Sequence, residues 1–241
     1  MITTELRDEV ALIALDRHEK RNAVDVGHLE SLGQAVGKLA ADARVLVITG
    51  RGTSFCAGAD LDGVYDDGFR TALYRALRAI TALPVPVIAA VNGPAIGAGT
   101  QLAIACDLRV AAPTAAFAVP TAGNGLSVDP WTVRRLALLA GGGPARALLL
   151  GCEQLDAAQA HRHGLADRIG SLDDALAWAK EISEFAPLSL RYAKRALEYL
   201  FEPEPWAPTL DDSFDACLRS EDFAESKLAR VEKRAPRFRG R

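Results

Sequence analysis

Two apolar, β-branched runs constrain this chain more than anything else in it: Arg44 to Thr49, closed by Gly50, and Val85 to Val91. Short runs of this kind, with no polar alternation, read as strands buried on both faces, the habit of parallel sheets. Each is followed within a few residues by a segment of small residues. The first is Phe55-Cys56-Ala57-Gly58-Ala59-Asp60 and the second Asn92-Gly93-Pro94-Ala95-Ile96-Gly97-Ala98-Gly99. Small residues let a backbone N–H approach a ligand closely. Two such groups converging on one point form an oxyanion hole, which holds a polarised carbonyl and contributes ~3–4 kcal/mol per donor in catalysis. Ala98 is expected to open a helix, where the first N–H groups lack intrahelical partners and the dipole favours negative charge.

The rest of the pattern alternates. Ile2 to Leu6 and Val10 to Leu15 read as a hairpin about Arg7-Asp8-Glu9. A helix is expected over Asp25 to Ala41, with Val26, Leu29, Leu32, Val36 and Leu39 at helical spacing. The second half of Gly63 to Leu83 is expected to be helical, as are Ala98 to Cys106 and a stretch from near Asp129 to the glycines at 141–143. Leu108 to Ala111, Phe117 to Val119 and Ala166 to Ile169 read as short extended pieces, with helices at 144–150 and 157–163 before the last of them. From Leu172 onward helix follows helix. This predicts an α/β (α+β) fold with a helical C-terminal region, divided at Ala186-Pro187 into 1–186 and 187–241.

Bulk properties exclude several classes. With 28 basic and 31 acidic residues the net charge is −3, no footprint for nucleic acid, although basic residues gather in Lys233 to Arg241. That tail reads as solvated or as a contact for phosphate. Four cysteines without C-x-x-C pairing, and no signal-like start, point to reduced thiols and a cytoplasmic protein. No apolar run is long enough for a membrane span. His161 and His163, two apart on an expected helix, do not share a face, so no metal site is expected. The glycines have the wrong spacing for a dinucleotide or P-loop fingerprint, and no G-x-S-x-G elbow occurs.

Arg21-Asn22-Ala23, Ser54 to Leu61, Pro86 to Gly93, Gln101-Leu102-Ala103, Cys106-Asp107-Leu108-Arg109 and Leu155 to Ile169 together resemble the enoyl-CoA hydratase/isomerase (crotonase) superfamily. The likeness runs through the whole chain in order. It implies a spiral of ββα units, a C-terminal helical trimerisation region and a site for acyl-CoA thioesters, in a homotrimer or a dimer of trimers. On this analogy Ala59 and Ala98 donate their backbone N–H groups to the thioester oxygen. Ala23, Ala57, Asp60 and Leu61, with Ala59 and Ala98, border the CoA moiety. Acyl-CoA is then ligand or substrate, and no cofactor is implied.

The resemblance also implies two glutamates that hold and split one water, and here their positions carry Gln101 and Thr121. Neither an amide nor an aliphatic hydroxyl accepts a proton near neutral pH. Each positioned acid–base group contributes ~10²–10⁴ in rate, and groups acting as a unit do not add simply. Gln101 and Thr121 are left to orient a ligand or merely to fill the pocket wall. Asp129 stands where certain family isomerases and a dehalogenase use an aspartate, yet Asp129-Pro130 also reads as a helix N-cap followed by proline at the first position. The expectation is an enoyl-CoA hydratase-like protein of lipid metabolism that binds medium or long acyl-CoA without hydrating it, as a carrier, sensor or delivery module. It looks closest to an actinobacterial branch lacking both glutamates. The alternative is an active hydratase/isomerase-type enzyme using Asp129.

Overall fold

The computed structural model describes residues 1–60, 67–201 and 219–237. The chain opens with a hairpin, β1 (Ile2–Arg7) and β2 (Val10–Leu15), followed by α1 (Val26–Leu39), β3 (Val45–Gly50), α2 (Asp67–Thr81) and β4 (Val87–Val91). A short strand, β5 (Pro94–Ile96), runs into α3 (Ala98–Ala105), and then come β6 (Leu108–Ala111) and β7 (Ala116–Ala118). Helices α4 (Pro130–Ala140) and α5 (Gly142–Leu150) precede β8 (Gln154–Asp156), α6 (Ala157–Arg162) and β9 (Arg168–Ile169). The remaining described elements are helices: α7 (Leu172–Ser183), α8 (Pro187–Phe201) and α9, the stretch Glu221–Val231.

The larger sheet has the order β1-β2-β3-β4-β6-β9, antiparallel at the hairpin and parallel from β2 onward. Strand alternation splits its side chains between two cores. Ala11, Ile13, Leu46, Ile48, Val87 and Ala89 face α1, α2 and α3, whereas Val10, Leu12, Val45, Val47, Ile88 and Ala90 face Ala175, Ala179 and Ile182 of α7. Burial on both faces explains why these strands are apolar throughout. The smaller sheet, β5-β7-β8, pairs β5 with β7 in parallel and β7 with β8 antiparallel. This is the mixed α/β arrangement of alternating strands and helices that the sequence predicts, followed by C-terminal helices.

Differences from the sequence reading are local. Strand β4 begins at Val87 because Pro86 has no N–H, and only its carbonyl joins the ladder, accepting from Leu46 N at 3.0 Å. β5 and β8, three residues each, are too short to carry a periodic signal. Of the helix expected within 63–83, α2 accounts for the second half, and residues 61–66 lie outside the described residues.

Two buried cations fasten α8 to the preceding fold. Lys194 donates to Asp107 Oδ2 at 2.8 Å and to the carbonyls of Val85 and Ile80 at 3.0 and 3.3 Å. Burial raises the Asp107 carboxyl above its ordinary range, and Lys194 opposes that rise. Arg135 of α4 makes a two-pronged ion pair with Glu198 at 2.9 and 2.7 Å and donates to Ile104 O at 2.7 Å. Its guanidinium also lies over the Trp131 and Phe201 rings, 5.0 and 4.2 Å from their centroids.

Candidate functional site

The two small-residue segments lie against each other, backbone to backbone. Phe55 N and Cys56 N donate to Pro94 O at 3.1 and 3.2 Å, and Ile96 N donates to Cys56 O at 2.9 Å. Glycine is required where they touch. A Cβ at Gly99 would stand 2.0 Å from Cys56 O, a distance no side chain tolerates. Gly58 has φ +103, and a Cβ there would meet Ile96 O at 2.9 Å and lie 4.0 Å from Ala98 N.

This packing leaves two amides over. Gly58 O accepts from Val24 N at 2.9 Å and Asp60 N donates to Val24 O at 2.7 Å, in an isolated parallel bridge between Val24 and Ala59. Strand alternation then sends the Ala59 N–H to the opposite side. At the other segment, Gly97 N donates to Ala118 O at 2.8 Å and the first α3 helical bond runs from Gln101 N to Gly97 O at 3.0 Å. Ala98 N–H, in the unsatisfied first turn, precedes that bond. Among the described residues, neither Ala59 N–H nor Ala98 N–H is assigned a protein acceptor.

The Arg17–Asp25 loop braces the first segment. Asn22, buried and at φ 58, accepts from Arg17 N at 2.9 Å and donates to the carbonyls of Arg51 and Ser54, each at 2.8 Å. Asp60 is held by Arg17 at 2.7 Å and by Lys20 at 3.6 Å, so its carboxylate is already engaged. Ala57 N donates to Arg21 O at 3.0 Å, which brings Ala57 and Ala59 beside Ala23 and Val24. Leu61 lies outside the described residues. Replacing Asn22 by alanine removes three hydrogen bonds and leaves the buried Ser54 carbonyl with only the long 3.4 Å bond from Asn92 Nδ2. A loss of about 2 kcal/mol is expected, read as a shift in urea midpoint with unchanged slope.

A polar cluster forms behind Ala98. Asp129 is the N-cap of α4, accepting from Thr132 N at 3.1 Å, with Pro130 at the first helical position. The expectation of a cap is met. The same carboxylate accepts from Thr132 Oγ1 at 2.5 Å and from Gln101 Nε2 at 3.1 Å, and Gln101 Nε2 also donates to Thr132 Oγ1 at 2.7 Å. The Tyr74 hydroxyl, on α2, faces Asp129 as well; burial first and then this carboxylate push its pKa upward. Asp129 is therefore surrounded by donors. Thr121 begins a 3-10 turn over Ala122–Asn124, half-buried, its carbonyl accepting from Asn124 N and Leu126 N at 2.9 and 2.8 Å.

Sequence reasoning missed Thr132 and Tyr74. An Asp followed three residues later by Thr at a helix start carries a capping signal, so Thr132 was findable; Tyr74 is placed only by the packing of α2. Cys56 and Cys106 are buried free thiols, each pushed up to about 12 chiefly by burial, which fits packing roles rather than nucleophilic ones. The described part of the basic tail folds back on α9: Arg234 pairs with Glu225 and Glu232, and Arg237 N donates to Glu225 Oε1 at 2.8 Å. Among the described residues there is no cluster of potential metal ligands, and no helix is long and apolar enough to cross a membrane.

The sequence model of the Enoyl-CoA hydratase/isomerase family matches residues 5–241. The chain belongs to that family. A "Probable enoyl-CoA hydratase echA6" of Mycobacterium tuberculosis is 47% identical over 242 residues, covering 100% of both chains. Among solved structures, an enoyl-CoA hydratase/isomerase from Pseudoalteromonas atlantica superposes with a TM-score of 0.89 at 30% identity, covering 99% of each chain. A methylmalonyl-CoA decarboxylase in complex with 2-nitronate-propionyl-CoA superposes with a TM-score of 0.92 at 25% identity, over 100% of this chain and 98% of that one. Enoyl-CoA hydratase/isomerase family membership carries with it an acyl-CoA-related function in fatty-acid and lipid metabolism.

Proposed function

We propose that this chain binds acyl-CoA thioesters, holding the thioester oxygen between Ala59 N–H and Ala98 N–H, and does not hydrate them effectively. The observation that carries the reading is the state of Gln101. Its amide nitrogen is committed to Asp129 and Thr132, where syn-hydration needs a group that takes a proton from water. Thr121, the other position at issue, offers only a hydroxyl. Asp129, which faces Gln101, is taken up by capping α4 and by the hydroxyl of Thr132. Two backbone donors without a protein acceptor, and a Gln101 amide in place of a base among the described residues, suit a site that binds an activated acyl group and passes it on.

In this reading Ala23, Ala57 and Leu61, with the backbone of Asp60, border the CoA moiety. Leu188, Tyr192, Tyr199 and Leu200 of α8 are exposed, and through these apolar side chains copies assemble, as a homotrimer or a dimer of trimers. The protein acts in the cytoplasm as a carrier or delivery module for medium or long acyl chains.

The test is calorimetric titration with saturated acyl-CoAs beside a spectrophotometric assay on crotonyl-CoA. Micromolar or tighter binding is expected, with hydration at least ~10⁴-fold below that of a glutamate-bearing relative. Hydration at ordinary rates overturns the reading. A second reading, favoured by the burial of Asp129 against Gln101, has Asp129 acting as base or nucleophile in an isomerase-type step. Turnover of an enoyl-CoA that disappears in Asp129→Asn selects it.

A further inference from the structure

Helix α8 is held to its own chain by a narrow and partly ionic stripe. Of its residues only Leu190, Lys194, Glu198 and Phe201 are not exposed, one inward position per turn. Leu190 packs against the core beneath α7, and Lys194 reaches Asp107 and two carbonyls. At the surface Arg134 donates to Leu200 O at 3.1 and 3.0 Å. Arg135 supplies the other hold, pairing with Glu198 while its guanidinium lies over the Phe201 ring. A surface helix is ordinarily fixed by burying an apolar stripe, and here two of the four inward residues are ions. Its placement is completed by whatever covers the outward Leu188, Tyr192, Tyr199 and Leu200.

Arg135 carries the position of α8 into the interior. Its Nε donates at 2.7 Å to Ile104 O, a carbonyl in the last turn of α3 with no helical partner of its own. Its guanidinium also lies 5.0 Å from the centroid of Trp131, in the first turn of α4, two residues after the Asp129 cap. One buried side chain therefore touches α8, the end of the helix that begins at Ala98, and the start of the helix capped by Asp129. When α8 lifts away, Glu198 and Phe201 go with it. A buried guanidinium left without its carboxylate is costly, so Arg135 turns toward water and gives up Ile104 O and Trp131 together.

We infer that Arg135 couples assembly at α8 to ligand affinity. Copies packed on α8 hold Arg135, α3 and α4 in the arrangement that binds the thioester, and the thioester in turn favours the assembled protein. The inference rests on the acyl-CoA-binding reading and on α8 as the contact between copies. Helix α8 is the element with two placements that both events bias, and linkage makes the two effects equal in size.

The experiment measures decanoyl-CoA affinity by calorimetry, with sedimentation velocity reading assembly, for the full-length protein and two variants. Leu188→Glu with Tyr192→Glu sets charges in the contact and disperses the copies. Glu198→Gln withdraws the charge that holds Arg135 and leaves the outward face of α8 intact. The assembled parent is expected to bind about 10-fold more tightly than the dispersed double variant, and decanoyl-CoA should push that variant toward assembly. Glu198→Gln should stay assembled and bind at least about 3-fold more weakly than the parent, having lost a charge-assisted bond. Where Glu198→Gln does not fold, Glu198→Asp poses the same question with the charge kept and the reach shortened. Equal affinity in the parent and the folded, dispersed variant overturns the coupling. Undiminished affinity in the assembled position-198 variant overturns the part given to Arg135. A parent that binds as a single copy, or a double variant that still assembles, overturns α8 as the contact and the inference with it. No binding by any of these proteins overturns the acyl-CoA reading.

Discussion

Gly99→Ala is expected to cost at least ~4 kcal/mol and to abolish acyl-CoA binding in whatever fraction still folds. The added methyl would lie 2.0 Å from Cys56 O and 2.9 Å from Cys56 C, both parts of a fixed backbone. Neither side yields easily. Cys56 is tied to the Pro94–Ile96 strand by two of the three bonds that zip the segments, and α3 is entirely buried. Separating the segments moves Ala98 N–H away from Ala59 N–H, so binding fails through geometry as well as through stability. For a chain of this size about 1 kcal/mol moves the melting temperature by roughly 2–4 °C, so a fall of about 8–16 °C or a failure to express is the expected reading. The control is Gly37→Ala, on α1, where nothing lies within 4 Å of the new methyl. Relieving an exposed helix interior of glycine should there raise stability by about 0.5–1 kcal/mol. Equal effects from the two substitutions would contradict the close packing of the two segments.

The contrast between Gly99 and Gly37 shows what was legible in the sequence. Strands β2, β3 and β4 announced themselves because both faces of a parallel sheet are buried, and that demand writes an unbroken apolar run. Helix α1 announced itself through Leu29, Leu32 and Val36 on one side and Asp25 at its cap. The helix start at Asp129 was legible for the same reason, since Asp-Pro is local chemistry. Strands β5 and β8 were not legible. Three residues cannot show a period, and their pairing with β7 is decided by tertiary contact. The site divides in the same way. The donors proposed for it were read from small residues and a helix start, whereas the engagement of Gln101 with Asp129 joins residues 28 apart in sequence. Tyr74 is 55 positions from Asp129, on a helix whose rotation only packing determines.

Gln101→Glu, which sets a carboxylate where the family resemblance implies a glutamate, is expected to destabilise the fold by about 3 kcal/mol at pH 8 rather than to confer hydration. It sets a second carboxylate where Gln101 Nε2 now lies 3.1 Å from Asp129 Oδ2. At an effective dielectric of about 20, like charges at that distance repel by about 5 kcal/mol. The site escapes part of this by protonating, which holds the carboxyl introduced at position 101 well above its unfolded value of about 4.3 in the folded state. The folded variant then binds a proton that the unfolded chain has released. Its deficit relative to the parent is therefore absent below about pH 4, grows as pH rises and levels off above the raised pKa. Urea denaturation of both proteins at pH 5 and pH 8 reads the difference directly; an equal deficit at the two pH values removes the electrostatic explanation. Pairing the change with Asp129→Asn should recover most of the loss, because the asparagine amide introduced at position 129 can donate where the native carboxylate only accepts. If hydratase chemistry can be rebuilt in this pocket, the rebuilding has to include Asp129 along with Gln101 and Thr121, since the neighbour that now holds the amide in place is what makes a glutamate unwelcome there.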